Sequence, residues 1–457
     1  MPSTETPPNS STHPFITNPA RTFLSMAVPV LFSLVAEPLT GLADTAFVAR
    51  LGEAPLAALG VGTMTLSAIF WAFNFLSIGA QTEVAQAVGA NNRKQASNIC
   101  GTALLLSLFL GVVTAAIALP FLPAAVTFMG ADKELAPIAA EYIRIRLIGA
   151  PALLITLAGI GALRGLQDMR TPFWVACIVN LLNILLDWVL IFGIGPFPEL
   201  GVTGAALATS LSQWAGALWT LLVVWRALKP SWNIRLHDIK RLFSIGSDLF
   251  VRSGMVIVFL LLGTRAATEA GTDAGAAHQA IRQFFIFSAL FLDTFAITGQ
   301  SLIGLFYGRR NITQSRKIAA FVCRWSLWAG VAMTAAMLLG QDIIGWLLVP
   351  QQTMATFTSA WIIAALIQPL NALSFATDGI HWGTGDFKFI RNAMVTASVI
   401  SVASLLTVQY VQPDSLLCWV WGITGLWTSI RAYFGIVRIW PGSASAPLGR
   451  ANALASG

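Results

Sequence analysis

The chain has 457 residues, 56% of them hydrophobic and only 10% charged, with a mean hydropathy of +0.73. Soluble domains carry about 25% charged residues, so this composition excludes an ordinary soluble enzyme, a disordered regulator and a nucleic-acid binder. The net charge of +7, from 27 Lys and Arg against 20 Asp and Glu, points either to an anionic partner or to the basic cytoplasmic loops of a membrane protein.

In chain order, residues 1–20 are rich in Pro, Ser, Thr and Asn and read as a disordered tail. Twelve apolar windows follow, at roughly 23–49, 54–80, 97–119, 138–160, 172–193, 200–226, 242–263, 273–301, 317–340, 354–379, 389–411 and 415–437. A bilayer-crossing helix needs about 20 apolar residues. Lipid gives backbone groups no partners, so segments apolar on every face must be helical, and the ten-residue alternation of a membrane barrel is absent. The first window is too long and too internally patterned for a cleaved signal peptide. The expected fold is therefore an all-α membrane protein with a lobe over 21–227, a linker at 228–240, a second lobe over 241–440 and a disordered tail at 441–457.

Sidedness follows from the basic residues. With twelve spans, both termini share a side with the loops after spans 2, 4, 6, 8 and 10. That side takes most of the Lys and Arg, among them Arg93, Lys94, Arg164, Arg170, Lys229, Arg309, Arg310 and Arg431. The opposite side takes Arg50, Lys133, Arg144, Arg146 and Arg265, while Arg252, Arg282 and Arg324 fall inside spans. Both tails are thus expected in the cytoplasm, and the positive net charge is mainly a topology signal. The cysteines Cys100, Cys177, Cys323 and Cys418 lie alone in apolar stretches, without metal or disulfide spacing.

The sequence repeats itself at an offset of 219: Gln81 pairs with Gln300, Gly89 with Gly308, Asn92 with Asn311 and Gly111 with Gly330. At 218, Pro151 pairs with Pro369, Gly165 with Gly383 and Asp168 with Asp386; at 221, Thr203 pairs with Thr424. Six spans per half is an even number, so the halves share orientation. They are expected to be six-helix lobes related by a pseudo-two-fold axis along the membrane normal, with a substrate path between them.

Ionisable residues in hydrocarbon are costly, and those that persist are functional candidates. Glu37 and Asp44 lie seven residues apart in span 1, two turns and hence one face. Asn180 and Asp187 have the same spacing in span 5, with Asn183 between them, and Thr203 opens span 6. Two carboxylates, amide oxygens and a hydroxyl are the ligands a proton or Na⁺ requires; the plainer alternative is hydrogen bonding between helices. In the repeat Asp44 falls on Gly263, Glu37 on Val256 and Asp187 on Leu405, so the acidic set is private to the first half. In the second half, Asp248 and Arg252 read as an i,i+4 pair. Asp293 and Arg282 read either as a pair or as part of a second site. Pro29 and Pro38 in span 1 remove helix hydrogen bonds and invite bending.

There is no HExxH, GxSxG or GxxxxGK[ST] sequence, and the four His (13, 237, 278 and 381) are far apart. The chain does not read as an enzyme. No organic cofactor is expected, and any uphill transport would run on an ion gradient.

Several stretches together resemble the multidrug and toxic compound extrusion (MATE) transporters, in particular their DinF-like branch. They are Pro38-Leu-Thr-Gly-Leu-Ala-Asp44-Thr-Ala-Phe-Val, Ala85-Gln-Ala-Val-Gly89, the run from Gly161 to Pro172, Asn180 to Asp187, and Gly201-Val-Thr-Gly-Ala-Ala-Leu-Ala208. The resemblance covers roughly 20–440. It implies twelve helices around a central cleft, alternating access, and export of amphipathic or cationic small molecules coupled to H⁺ or Na⁺. It also implies cation binding by Asp44, Asn180, Asp187 and Thr203, with Glu37 where some relatives carry Gln, and bending at Pro29. A bacterial inner membrane, a monomer and no nucleic-acid partner complete the expectation. A lipid-linked oligosaccharide flippase of the same superfamily and a non-coupled channel are the alternatives.

Overall fold

In the computed structural model, which describes residues 13–233, 235–413, 415–443 and 445–449, each apolar window becomes helix and most helices run past their window. Among the described residues, nine helices are long and apolar enough to cross a membrane: Pro19–Leu51, Glu53–Gly89, Arg93–Phe128, Arg170–Phe192, Val202–Leu228, Leu236–Glu269, Thr272–Gly308, Ile312–Leu339 and Phe387–Val411. Two bent pairs, Leu135–Ile148 with Ala150–Gly165 (47°) and Gln351–Leu366 with Gln368–Thr384 (42°), raise the number to 11. Leu416–Ile439 falls outside that set but takes the twelfth place in the six-plus-six order, and its 24 residues span about 36 Å at 1.5 Å per residue. These are spans 1–12 in chain order. There is no β-strand among the described residues.

The bends have local causes. Span 4 turns at Gly149 just before Pro151, and span 10 turns at Ile367 just before Pro369, the repeat-related proline. Pro cannot donate to the preceding turn and suits the first turn of a new helix. Span 1, by contrast, continues as one helix through Pro29 and Pro38.

Span 1 packs on span 5, span 2 on span 4, span 3 on span 4 and span 5 on span 6; spans 7–11, 8–10, 9–10 and 11–12 repeat the same set. The two halves meet chiefly through spans 2 and 8. Glycines make this close approach possible. A Cβ on Gly89 would stand 2.1 Å from the Leu305 carbonyl oxygen, and one on Gly308 would stand 2.2 Å from that of Gln86. Within the halves, Gly161 abuts the Ser77 oxygen and Gly379 that of Ala296, while Gly165 abuts the Gln81 oxygen and Gly383 that of Gln300. The residues that match at offsets 218–219 are thus the ones whose main chains touch.

Apolar clusters divide by depth. Near the chain ends, one cluster joins Leu76, Val84 and Leu163 to Leu242, Leu249 and Trp382 of the other half, and another joins Phe23, Met26 and Val30 to Phe295, Ile303 and Phe306. At the opposite end the clusters around Tyr142, Trp361 and Phe259 each draw on one half only. The halves are sealed together on the side of the termini and separate on the other.

Both tails are more ordered than their composition suggests. Residues 1–12 lie outside the described residues, but Pro14–Thr17 is helical and buries Phe15 against Phe321, ring centroids 5.3 Å apart. At the other end Ala446 and Leu448 are buried, and Arg316 donates to the carbonyls of Ile439 and Leu448. Composition reports average polarity; one Phe or Leu with a pocket is enough to dock a short segment. The inter-lobe connection is likewise shorter than 228–240, because Leu236 already begins span 7.

Candidate functional site

Span 1 carries Asp44 and span 5 carries Asp187, and the packing of these two helices brings the carboxyls together. Asp187 is fully buried. The two carboxyls lie within interaction distance of each other. Asp44 Oδ1 and both Asp187 oxygens are buried and accept from no described donor. Two carboxylates in contact in apolar surroundings must share a proton or a cation.

The expected neighbours are placed unequally around this pair. Asn183, one turn from Asp187, is buried; its Nδ2 donates to Thr209 Oγ1 at 3.3 Å and its Oδ1 is unpartnered. Asn180, one turn further, is half-buried on span 5, and Thr203 is half-buried in the first turn of span 6. Glu37 is exposed on span 1 and has no part in the described contacts of the pair. Asp44 thus meets Asp187, Asn183 lies one turn from Asp187 on span 5, and Glu37 stands apart.

Sequence reasoning missed Arg146. Counted with a loop facing away from the termini, it lies instead in the helix Leu135–Ile148, within electrostatic reach of both Asp44 and Asp187. Its Nη1 donates to Gln213 Oε1 at 2.9 Å, and the buried Tyr142 is its other polar neighbour. Tyr142 itself fits only because residue 62 is Gly, where a Cβ would meet its ring at 2.4 Å. The signal was present: Arg146 sits inside the apolar run Ile143-Arg-Ile-Arg-Leu-Ile148. The site is thus two carboxyls facing one guanidinium, close to charge balance once a single H⁺ or Na⁺ is held.

A second buried network lies in the other half. Arg252 and Arg431 both donate to Asp378 Oδ2, the latter at 2.8 Å. Arg431 stacks over Trp427 at 4.5 Å and Arg252 over Trp382 at 5.1 Å. Asp293 lies within electrostatic reach of Arg252, Arg431, Asp378 and Arg164. Two expectations are corrected here. Asp248 pairs not with Arg252 but with Arg391, at 2.6 Å, because the side chains of span 7 find cross-helix partners on spans 10 and 11. Arg164 and Arg431, counted among loop cations, are buried in the bundle. Asp293 meets this cluster rather than Arg282. Asp378 went unnoticed in the sequence although it is an acidic residue inside span 10, which is itself the signal.

No group of three or more His, Cys, Asp or Glu able to hold a metal ion occurs among the described residues. An Na⁺ at the first site would rest on the Asp44–Asp187 carboxyls and neutral oxygens, not on a multidentate cage.

Comparison with known proteins fits this architecture. A family model described as MatE matches residues 29–189 and again 249–406, one match in each half. The chain is 28% identical over 439 residues to Protein DETOXIFICATION 44, chloroplastic, of Arabidopsis thaliana, covering 90% of this chain and 80% of that one. It is 27% identical over 439 residues to DNA damage-inducible protein F of Escherichia coli (strain K12), covering 93% of each. A solved structure described as MATE in the bent conformation superposes with a TM-score of 0.84 over 96% of both chains, at 22% identity.

Proposed function

Because the chain belongs to the MatE family of multidrug and toxic compound extrusion transporters, we propose that it is a secondary active exporter of amphipathic or cationic small molecules, driven by H⁺ or Na⁺ antiport. The observation that carries the coupling is the meeting of Asp44 with the buried Asp187, with Asp44 Oδ1 and both Asp187 oxygens buried and unpartnered among the described residues. A cation entering from outside binds there with help from Asn180, Asn183 and Thr203. Its charge changes the balance against Arg146 and the set of span 1, with Pro29 and Pro38 as the compliant points, and substrate leaves outward. Glu37 is assigned a lesser role.

With both termini in the cytoplasm of a bacterial inner membrane, the seam between the halves closes the cytoplasmic side and the structure is outward-facing. The protein works as a monomer in the bilayer, without enzymatic activity, organic cofactor or nucleic acid. The deep acidic residues of the first half favour this reading over a lipid-linked oligosaccharide flippase, which calls for a cationic cleft, and over a channel, which needs no coupling pair. The test is dye flux in reconstituted vesicles under imposed pH or Na⁺ gradients, comparing wild type with Asp44→Asn. Uphill flux in the wild type, lost in the variant, is expected; full coupled transport by Asp44→Asn overturns the reading.

A further inference from the structure

The repeat places a counterpart of the acidic site in the second half, and it has the opposite character. Gly263 stands where Asp44 stands in the first half, and Thr424 where Thr203 stands. Both line one small cavity between spans 7, 8 and 12, together with His278, Arg282, Phe285 and Trp421. A Cβ on Gly263 would find only Val420 Cγ1, at 3.9 Å, so the room an acidic side chain would fill stays open. No carboxylate lines this cavity.

Two of its polar groups are donors without acceptors. Arg282 lies ten residues into span 8, about 15 Å from the helix start, and its buried Nε has no described partner. Trp421 Nε1 is buried and unpartnered, and so is His278 Nδ1. The Thr264 hydroxyl donates to the Leu260 carbonyl at 2.9 Å and accepts from His278 Nε2–H at 3.2 Å, which leaves the neutral ring's Nδ1 as an acceptor at the cavity wall. The His278 and Trp421 rings lie 5.6 Å apart and Phe285 packs edge-on to Trp421, also at 5.6 Å. The nearest acidic side chains on these spans are engaged elsewhere: Glu269 with Arg265 and Gln409, Asp273 with Thr353. A guanidinium left unpaired in the membrane is costly, and an unsatisfied indole N–H beside it in one apolar-walled space compounds that cost.

We propose that this cavity is an anion site, in which Arg282 and Trp421 hold a halide or the carboxylate head of a solute. The site goes beyond the cation-coupled reading and does not depend on it. An anion completes the charge of Arg282 and accepts from the indole N–H. A solute with a cationic end as well as a carboxylate then has a complementary site in each half.

The experiment is the thermal unfolding of the purified full-length protein in detergent at constant ionic strength. Gluconate is replaced stepwise by bromide or acetate, with acetamide as the uncharged control. Saturable stabilisation by bromide alone identifies a halide site; stabilisation by acetate that bromide displaces identifies a carboxylate site. Either supports the proposal if Arg282→Gln weakens apparent affinity about tenfold and Trp421→Phe about threefold, as expected for a charge-assisted and a neutral hydrogen bond, while the exposed Arg144→Gln leaves it unchanged. No saturable effect of either anion, or equal affinity in Arg282→Gln, overturns it. Should Arg282→Gln fail to fold, equal affinity in Trp421→Phe overturns it as well. The readout needs no transport, so a failure of ion coupling leaves it intact.

Discussion

Gln81 and Gln300 donate to each other's helices: Gln81 Nε2 to the Ile297 carbonyl at 2.8 Å, and Gln300 Nε2 to the Ile78 carbonyl at 2.9 Å. The offset of 219 that relates Gln81 to Gln300 also relates Ile78 to Ile297, so the two bonds are one interaction seen from both ends of the pseudo-two-fold axis. Thr82 to the Trp382 carbonyl and Gln86 to the Gly383 carbonyl, both 2.8 Å, extend the seam. Each replaced side chain removes an interhelical hydrogen bond, which costs about 0.5–1.5 kcal/mol. Gln81→Leu with Gln300→Leu is therefore expected to open the terminal side of the molecule. Spin labels on Asn91 and Arg310, turn residues related by the same offset, should show a longer and broader distance distribution in the double variant; an unchanged distribution removes the seam as a gate.

Gly308→Ala sets a Cβ 2.2 Å from the Gln86 carbonyl oxygen. Backbone cannot swing aside as a side chain can, so a loss of roughly 1–3 kcal/mol is expected, read as a lowered unfolding temperature. Gly254→Ala, with nothing within 4 Å, should be neutral or slightly stabilising, since Ala is the better helix former. Equal effects at both positions would contradict the close-approach account.

At the acidic pair, Asp187→Asn and Asp44→Asn keep shape and remove charge. Each is expected to reduce gradient-driven flux by at least about tenfold, equivalent to about 1.4 kcal/mol. Glu37→Gln, at an exposed position, should do less. Flux measured with a Na⁺ gradient at fixed pH, and then with a pH gradient without Na⁺, identifies the coupling ion.

Asp378→Asn leaves Arg252 and Arg431 facing each other without their shared carboxylate. Breaking a buried charge network from one side costs about 3–5 kcal/mol, and the variant should lose thermal stability or fail to purify folded. Asp248→Asn, whose partner Arg391 is more exposed, should cost no more than about 1 kcal/mol.

The N-terminal segment carries a pH-dependent contact. His13 Nε2 bonds Gln167 Oε1 at 2.8 Å, while its Nδ1 accepts from the Phe15 N–H at 3.2 Å. Only the neutral ring does both. Burial, and to a lesser degree the charge of Arg309, lowers its pKa from 6.5, against the opposing pull of Gln167. The docked state thus binds fewer protons than the free one. Docking is at full strength above pH 6.5 and weakens as pH falls below it. Amide exchange of residues 15–18 should quicken on acidification, and His13→Gln should flatten that dependence.

Much of this protein is legible in one dimension. Spans longer than the hydrocarbon is thick, an even number of them per half, and a repeat of Gly and Gln at a fixed offset follow from composition and spacing, because lipid leaves the backbone no option but helix. Asp44 and Asp187 were visible as acids where acids are expensive. The partners of charged residues were not. Periodicity gives the face of a helix but not what stands opposite, so Asp248 was matched with Arg252 four residues away instead of Arg391 across the interface.

The all-helical fold, the duplication and the acidic candidates are thus readable along the chain, since each depends on local polarity or on internal similarity. The tertiary structure decided that Arg146 faces the Asp44–Asp187 pair, that Asp378 gathers Arg252 and Arg431, and that Arg282 is left without an acceptor beside Gly263. Those outcomes depend on which helices touch and at what height. Such contacts join residues as far apart as the 126 positions between Arg252 and Asp378, and nothing local to either residue encodes them.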